Sequence, residues 1–413
     1  MAARRIDPSL AAVTLALTAY GIVVLYSAGQ TDVPTSVAHV WERQVVWLAI
    51  SLFGAILVMR TSPRLLEWFA PAGYAAGIAV LLLTLAIGTG AGTAAHSHAW
   101  IAIGRVRIGQ PSEFVKLTMI LMLARYLAGR RAPPANMREL VVPTVIAAAP
   151  ALLVAVEPDL GSALVFAGIL FVMLYWAGVR MRLLVLLASP IASLLLAFSP
   201  WTWGGWILVL GILLLIWRPF VWEGLAVLGA NVGLGVIALP LWNRLAAYQQ
   251  HRFLSFLNPE LDPRATGWHI IQSKIAIGSG GWLGKGLTMG TQKRLAFLPA
   301  QHTDFIFSVV GEELGFIGVI VALALFFALL AILIRVARRS PDPFSSLVTF
   351  GVIGMFFTHI FENTGMTANV MPITGIPLPF FSYGGSFLVV CYLAIGMAMR
   401  VAQEGQELGY HEL

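Results

Sequence analysis

The chain is 413 residues long, 59% hydrophobic and only 11% charged, with mean hydropathy +0.84 and formal net charge +7. Soluble domains run about 45–50% apolar and roughly 25% charged, so a water-soluble globular chain is excluded and lipid is the solvent for most of this one. At about 20 apolar residues per crossing, the apolar content suffices for about a dozen spans.

Taken in chain order, uncharged apolar runs long enough to cross hydrocarbon lie near residues 8–28, 42–60, 66–88, 112–128, 140–156, 161–179, 183–199, 203–217, 222–242, 306–336, 344–362 and 385–401. The polar links leave no room for the alternating strands of a barrel, and lipid tolerates no unpaired backbone, so every run is expected to be a helix. The result is an all-α polytopic membrane bundle of about twelve spans, one domain over 1–413. The first run follows Arg4 and Arg5 but is long enough to stay as an anchor. The single cysteine, Cys391, excludes an intrachain disulfide.

With the N-terminus inside, the inner links collect fifteen of the 26 basic residues, from Arg4 and Arg5 to Arg400, which places both termini in the cytoplasm. The net positive charge reflects this arginine bias, and no nucleic-acid partner is expected. One stretch breaks the rule. Residues 243–304, read as a large external loop, carry Arg244, Arg252, Arg264, Lys274, Lys285, Lys293 and Arg294 against Glu260, Asp262 and Asp304. Long loops translocate regardless of charge, and such a cationic segment suits an anionic ligand or anionic headgroups. Within it GSGGWLGKG (278–286) can be a flexible turn or a backbone cradle for phosphate; it lacks the Walker spacing.

Charged groups at membrane depth cost several kcal/mol unless they are paired or face a cavity, roughly 2.5–3.5 on insertion scales. Glu113 and Lys116 stand at i, i+3 on one helix face and can form a structural ion pair. Glu157 and Asp159 occupy a tight reversal, where Asp159 can cap the next helix. His359 with Glu362, and Glu312 with Glu313, can be polar glue between helices. Asp304 sits where the cationic segment meets the tenth run; it is either a helix N-cap or a general base.

The strings QPSEFVKL (110–117), VEPDLGSAL (156–164), GWHIIQSKIAIGSGGWLGKG (267–286), FLPAQHTDFIFSVVGEELGFIG (297–318) and PITGIPLPFFSYGGS (372–386) resemble the SEDS family of bacterial cell-wall polymerases, in this order over nearly the whole chain. IIQSKIAIGSGG and the GKG after it look more like the elongation-type, RodA-like branch than the division-type, FtsW-like one. The resemblance implies a GT-C-like membrane glycosyltransferase that polymerises lipid II into glycan strands at the outer face of the cytoplasmic membrane. It also implies an inverting β-1,4 transfer with release of undecaprenyl diphosphate, beside a class B penicillin-binding protein and other elongation-complex membrane proteins. The family's essential carboxylate corresponds to Asp304, its loop tryptophan to Trp100, its Glu and Lys of QPSExxKL to Glu113 and Lys116, and its GEELG acid to Glu312 or Glu313. Lys116, Arg105, Lys274 and Lys285 are the candidates to hold the diphosphate; a divalent cation, Mg or Mn, could share that task, although no ligand cluster is readable.

The chain departs from the family at Ala99, Trp268 and Ala300. It also carries two additional apolar runs within 183–242, against a typical ten spans. The Gly- and Pro-rich stretch 365–385 is expected to be re-entrant, non-helical backbone. Two other classes compete: a flippase or transporter of the lipid-linked precursor, and a non-catalytic scaffold.

Overall fold

A computed structural model describes residues 6–409 except 33–34, 36, 91–98, 104–105, 246, 260–265 and 299. Each of the twelve apolar runs falls on one helix: α1 (Pro8–Gly29), α2 (Val40–Arg60), α3 (Pro63–Ile87), α4 (Pro111–Ala128), α5 (Val141–Val156), α6 (Leu160–Trp176), α7 (Met181–Leu196), α8 (Pro200–Trp217), α9 (Val221–Arg244), α13 (Ile306–Arg338), α14 (Pro343–Thr367) and α15 (Gly385–Gly409). Among the described residues nine helices are long and apolar enough to cross a membrane; α6 and α7 are shorter apolar helices, and α4 carries Glu113, Lys116 and Arg125. Local chemistry sets several starts. Asp7, Ser62, Asp159 and Asp342 accept backbone N–H bonds at the first turns of α1, α3, α6 and α14, and three of these helices open on proline.

Helices α14 and α15 are the most buried and form the centre, with α4, α6 and α13 packed against α14 and α2 against α15. Outward-facing side chains such as Phe53, Trp68, Leu208, Leu215 and Trp222 are largely exposed, the surface expected of a chain solvated by lipid. Helices α7, α8 and α9 have a small core of their own, Leu186, Leu210 and Val227. Asn231 ties them together: its Nδ2 donates to Ser189 Oγ at 2.8 Å, and Trp206 Nε1 donates to its Oδ1 at 3.1 Å.

Two regions differ from a simple reading of hydropathy. Much of the stretch between α9 and α13 is helical, forming α10 (Ala247–Leu257), α11 (Thr266–Ser279) and α12 (Thr291–Arg294). At 14 residues, α11 reaches about 21 Å, too short to span. It lies instead along α13 and α14, where Ser273 Oγ meets Ser308 Oγ at 2.8 Å and donates to Thr367 O at 2.7 Å.

The 33-residue α13 is broken at Gly315 (φ 62, ψ −160), a conformation essentially restricted to glycine. Beyond the break the remaining helix, 316–338, is about 34 Å long, one comfortable crossing. The glycine run satisfies the freed backbone: Phe316 N donates to Gly281 O at 2.9 Å and Ile317 N to Trp282 O at 3.1 Å, while Lys285 N and Gly286 N donate to Glu312 O and Glu313 O at 3.0 Å. A Cβ on Gly315 would lie 2.8 Å from the Trp282 carbonyl. Gly315→Ala is therefore expected to destabilise the protein by about 1–3 kcal/mol, read as a lowered thermal unfolding midpoint in detergent. An unchanged midpoint would mean that the break is not held at this residue.

Candidate active site

Asp304 lies in the link between α12 and α13, and its side chain is buried, 6% exposed. The first turn of α13 takes no side-chain cap, and its N-cap position is Phe305. A second, non-helical segment, 368–384, holds the main chain around it, as the Gly- and Pro-rich composition predicts. Asn363 Nδ2 donates both to Asp304 O at 2.9 Å and to Ile376 O at 2.8 Å. Ser382 Oγ donates to Thr303 O at 2.6 Å, and Tyr383 N to His302 O at 2.8 Å. Gly375 (φ +74) lies against the carboxylate: a Cβ there would stand 3.5 Å from Asp304 Oδ2. Burial holds the neighbouring His302 imidazole below its ordinary value, so it is neutral at pH 7 and adds no positive charge beside Asp304.

Behind this strap is a buried polar chain. Lys116 Nζ lies 2.7 Å from Glu113 Oε1 and 3.0 Å from His359 Nε2, and all three side chains are buried. His359 Nδ1 lies 3.1 Å from Pro377 O, so with its proton there Nε2 accepts from the ammonium. One line of hydrogen bonds thus joins α4, α14 and the segment that fixes Asp304. Nearby on this face Asp159 caps α6 through Ser162 N at 3.0 Å and accepts from Gln110 Nε2 at 2.7 Å. Glu157, also buried, has neither carboxylate oxygen hydrogen-bonded.

Glu312 and Glu313 form a separate cluster. Glu312 Oε1 accepts from Lys285 Nζ at 2.8 Å and Gln292 N at 2.9 Å. Glu313 Oε1 pairs with the buried Lys293 at 2.9 Å, and Ser27 Oγ donates to its other oxygen. Burial lowers the Lys293 ammonium from its ordinary value, against the opposing pull of Glu313. These residues fasten the glycine run to the ends of α1 and α13, so its backbone and its lysine serve the fold. Trp100 pairs by main chain with Thr89 (2.8 and 3.1 Å) beside the hairpin of β1 (Ile101–Ile103) and β2 (Val106–Gly109) that leads into α4. Trp268 Nε1 donates to Phe297 O at 3.0 Å, Ala300 adopts a left-handed φ of 51, and Lys274 is exposed on α11. Arg105 lies outside the described residues. Asn363 and Ser382 escape a charge-based search because they are neutral; the signal that finds them is the Asn next to Glu362 and the Gly- and Pro-rich stretch that follows. Among the described residues no three His, Cys, Asp or Glu side chains converge as a metal site.

The family model described as a cell cycle protein, FtsW/RodA/SpoVE, matches residues 8–203 and 202–407. The chain belongs to this family. It is 32% identical to the peptidoglycan glycosyltransferase MrdB of Escherichia coli over 396 residues, 96% of this chain and 93% of that protein. It is 34% identical to the peptidoglycan glycosyltransferase RodA of Treponema pallidum over 421 residues, covering 94% and 95%. A solved peptidoglycan synthase complex, described as coordinating polymerization and crosslinking, contains a chain that superposes with TM-score 0.71 at 30% identity, over 97% of this chain and 98% of that one. The rod shape determining protein RodA of Thermus thermophilus superposes with TM-score 0.63 at 28% identity, over 97% of each chain. These RodA and MrdB relatives place the chain on the elongation side of the family, and it is a multi-pass membrane protein.

Proposed function

We propose that this chain is a peptidoglycan glycosyltransferase that polymerises lipid II into glycan strands during cell elongation, with Asp304 as its base. The observation that carries the reading is a buried carboxylate whose backbone is pinned by side-chain bonds from two separate segments, Asn363 Nδ2 to Asp304 O and Ser382 Oγ to Thr303 O, with Gly375 lying against the carboxylate. Such a group is oriented before substrate arrives. Lipid II brings its own leaving group, so the protein need only take the proton from the acceptor 4-hydroxyl as the new bond forms and steady the charge on the departing diphosphate. One displacement inverts the sugar and requires no covalent intermediate. Within this reading Glu113 and Lys116 position the strap through His359, and Glu312, Glu313 and Lys285 fix the glycine run; Trp100, Lys274 and Arg105 are the candidate substrate contacts. Residues 183–242 add two helices to a ten-helix core.

The two ends of the bundle support an orientation. Asp7 pairs with Arg335 at one end, where Arg338, Arg339 and Arg400 also lie, while Ser27 and Glu313 meet at the other, near Asp304. The arginine-rich end is the cytoplasmic one and Asp304 faces outward. A Lys274→Cys variant is thus expected to react with a membrane-impermeant maleimide in intact spheroplasts; labelling only after lysis would place the segment inside. The crosslinking named for the structural relative supports a class B penicillin-binding protein as the partner.

The test of function is purified protein in detergent with lipid II. A polymerase yields glycan strands there, whereas a flippase, given no leaflets to connect, yields none.

A further inference from the structure

Outside the residues assigned above, the end of α1 and the start of α2 enclose a cleft of about 550 Å³. Its walls include Tyr26, Gln30, Thr31, His39, Trp41 and Glu42. Tyr26 and Trp41 meet edge to face, centroids 5.6 Å apart at 85°, forming an aromatic corner, and Tyr26 is exposed. Around that corner stand a carboxamide, hydroxyls and a carboxylate. His39 and Glu42 in the described lining hydrogen-bond each other at 3.0 Å. Lysine and arginine are missing from that lining, so a phosphate or an anionic headgroup finds no cation there. Apolar ring faces combined with planar polar groups suit an uncharged sugar, which presents C–H faces and hydroxyl edges. The volume is that of a site for a small organic ligand, enough for a disaccharide.

The cleft is tied to the reacting end. Gln301 Nε2 donates to Ala28 O at 2.9 Å, next to the Gly29 wall and three residues before Asp304. Asp32 and Arg294 meet at the flank through a bidentate pair, Nη2 to Oδ1 at 2.8 Å and Nε to Oδ2 at 3.1 Å, and Asp32 N donates to Arg294 O at 2.9 Å. We infer that the cleft between α1 and α2 is a carbohydrate subsite, holding sugars of the growing strand after they leave Asp304. This rests on the polymerase reading. A chain-extending enzyme needs a place beside the bond-forming point where the polymer stays attached between additions, and a neutral, aromatic-lined cleft does this without competing for the diphosphate.

The test has a binding arm and a product arm, both on the full-length protein in detergent. In the first, chitotetraose, the uncharged β-1,4-linked GlcNAc tetramer that reproduces the backbone of the strand, is titrated and followed by saturation-transfer NMR. Trp41→Ala is expected to weaken binding about tenfold, as loss of an aromatic contact together with its buried area would. Because Trp41 also packs on the core, the double variant Tyr26→Ala/Gln30→Ala, at two exposed positions, serves as the second probe and is expected to weaken binding similarly. In the second arm, both variants should give shorter strands than wild type at matched lipid II consumption. Tetrasaccharide binding that is absent in wild type, or retained within twofold in both variants, overturns the subsite. A wild type that consumes no lipid II overturns the polymerase reading instead, and the binding arm decides the cleft in either case.

Discussion

Asp304→Asn is expected to lower the polymerisation of lipid II by a factor of roughly 10²–10⁴, the range lost with a general base, while leaving the fold intact. The fold should survive because the bonds that fix this position run to main-chain carbonyls: Asn363 to Asp304 O and Ser382 to Thr303 O. An amide side chain changes neither. It occupies the same volume beside Gly375 but no longer takes a proton. Asp304→Glu keeps the charge and moves the carboxylate by about a bond length toward that glycine, and displacements of about 1 Å can cost 10²-fold, so it too should be severely impaired. Strand formation on gels, with the unfolding midpoint as control, checks both. Asp304→Asn activity within tenfold of wild type would remove Asp304 as the base and leave the bundle without an assigned catalytic group.

Much of the architecture was legible because hydrocarbon imposes it: a run such as 344–362 has one way to satisfy its backbone, and α14 lies there. Position within the bundle was not. Helices α8 and α14 read alike by composition, yet Leu210 is the one buried residue of α8 while α14 is central, since hydropathy measures affinity for an apolar surround and not whether lipid or protein supplies it. A single dihedral also leaves no trace in hydropathy, so the run 306–336 reads as continuous across the break at Gly315. Lys285 and Glu312 are 27 residues apart, and their pairing depends on how the glycine run folds back on that break. The Glu113–Lys116 pair, by contrast, follows from helical spacing alone. For Asp304 the sequence leaves capping and catalysis both open, and in the structure the N-cap position of α13 falls on Phe305.

That ion pair carries the other large effect. Lys116 is fully buried, and its ammonium is bonded to Glu113 and His359, so it does not reach outward to a diphosphate in this arrangement. Replacing it with methionine keeps the length and packing of the stem but leaves Glu113 with a buried, uncompensated charge, one of whose oxygens already has no hydrogen-bond partner. Breaking a buried pair from one side typically costs about 3–5 kcal/mol, and Lys116→Met should be destabilised by that amount in reversible unfolding in mixed micelles. The double variant Lys116→Met/Glu113→Gln removes both charges and should recover a substantial part of the loss, because the penalty belongs to the orphaned carboxylate. Activity need not return with stability. The line from Lys116 through His359 to Pro377 ends in the segment that packs on Asp304, and without the ammonium His359 no longer ties α4 to it. A double variant with recovered stability and a reduced kcat marks Lys116 as a positioning residue; one that regains both shows that the pair only holds the bundle together.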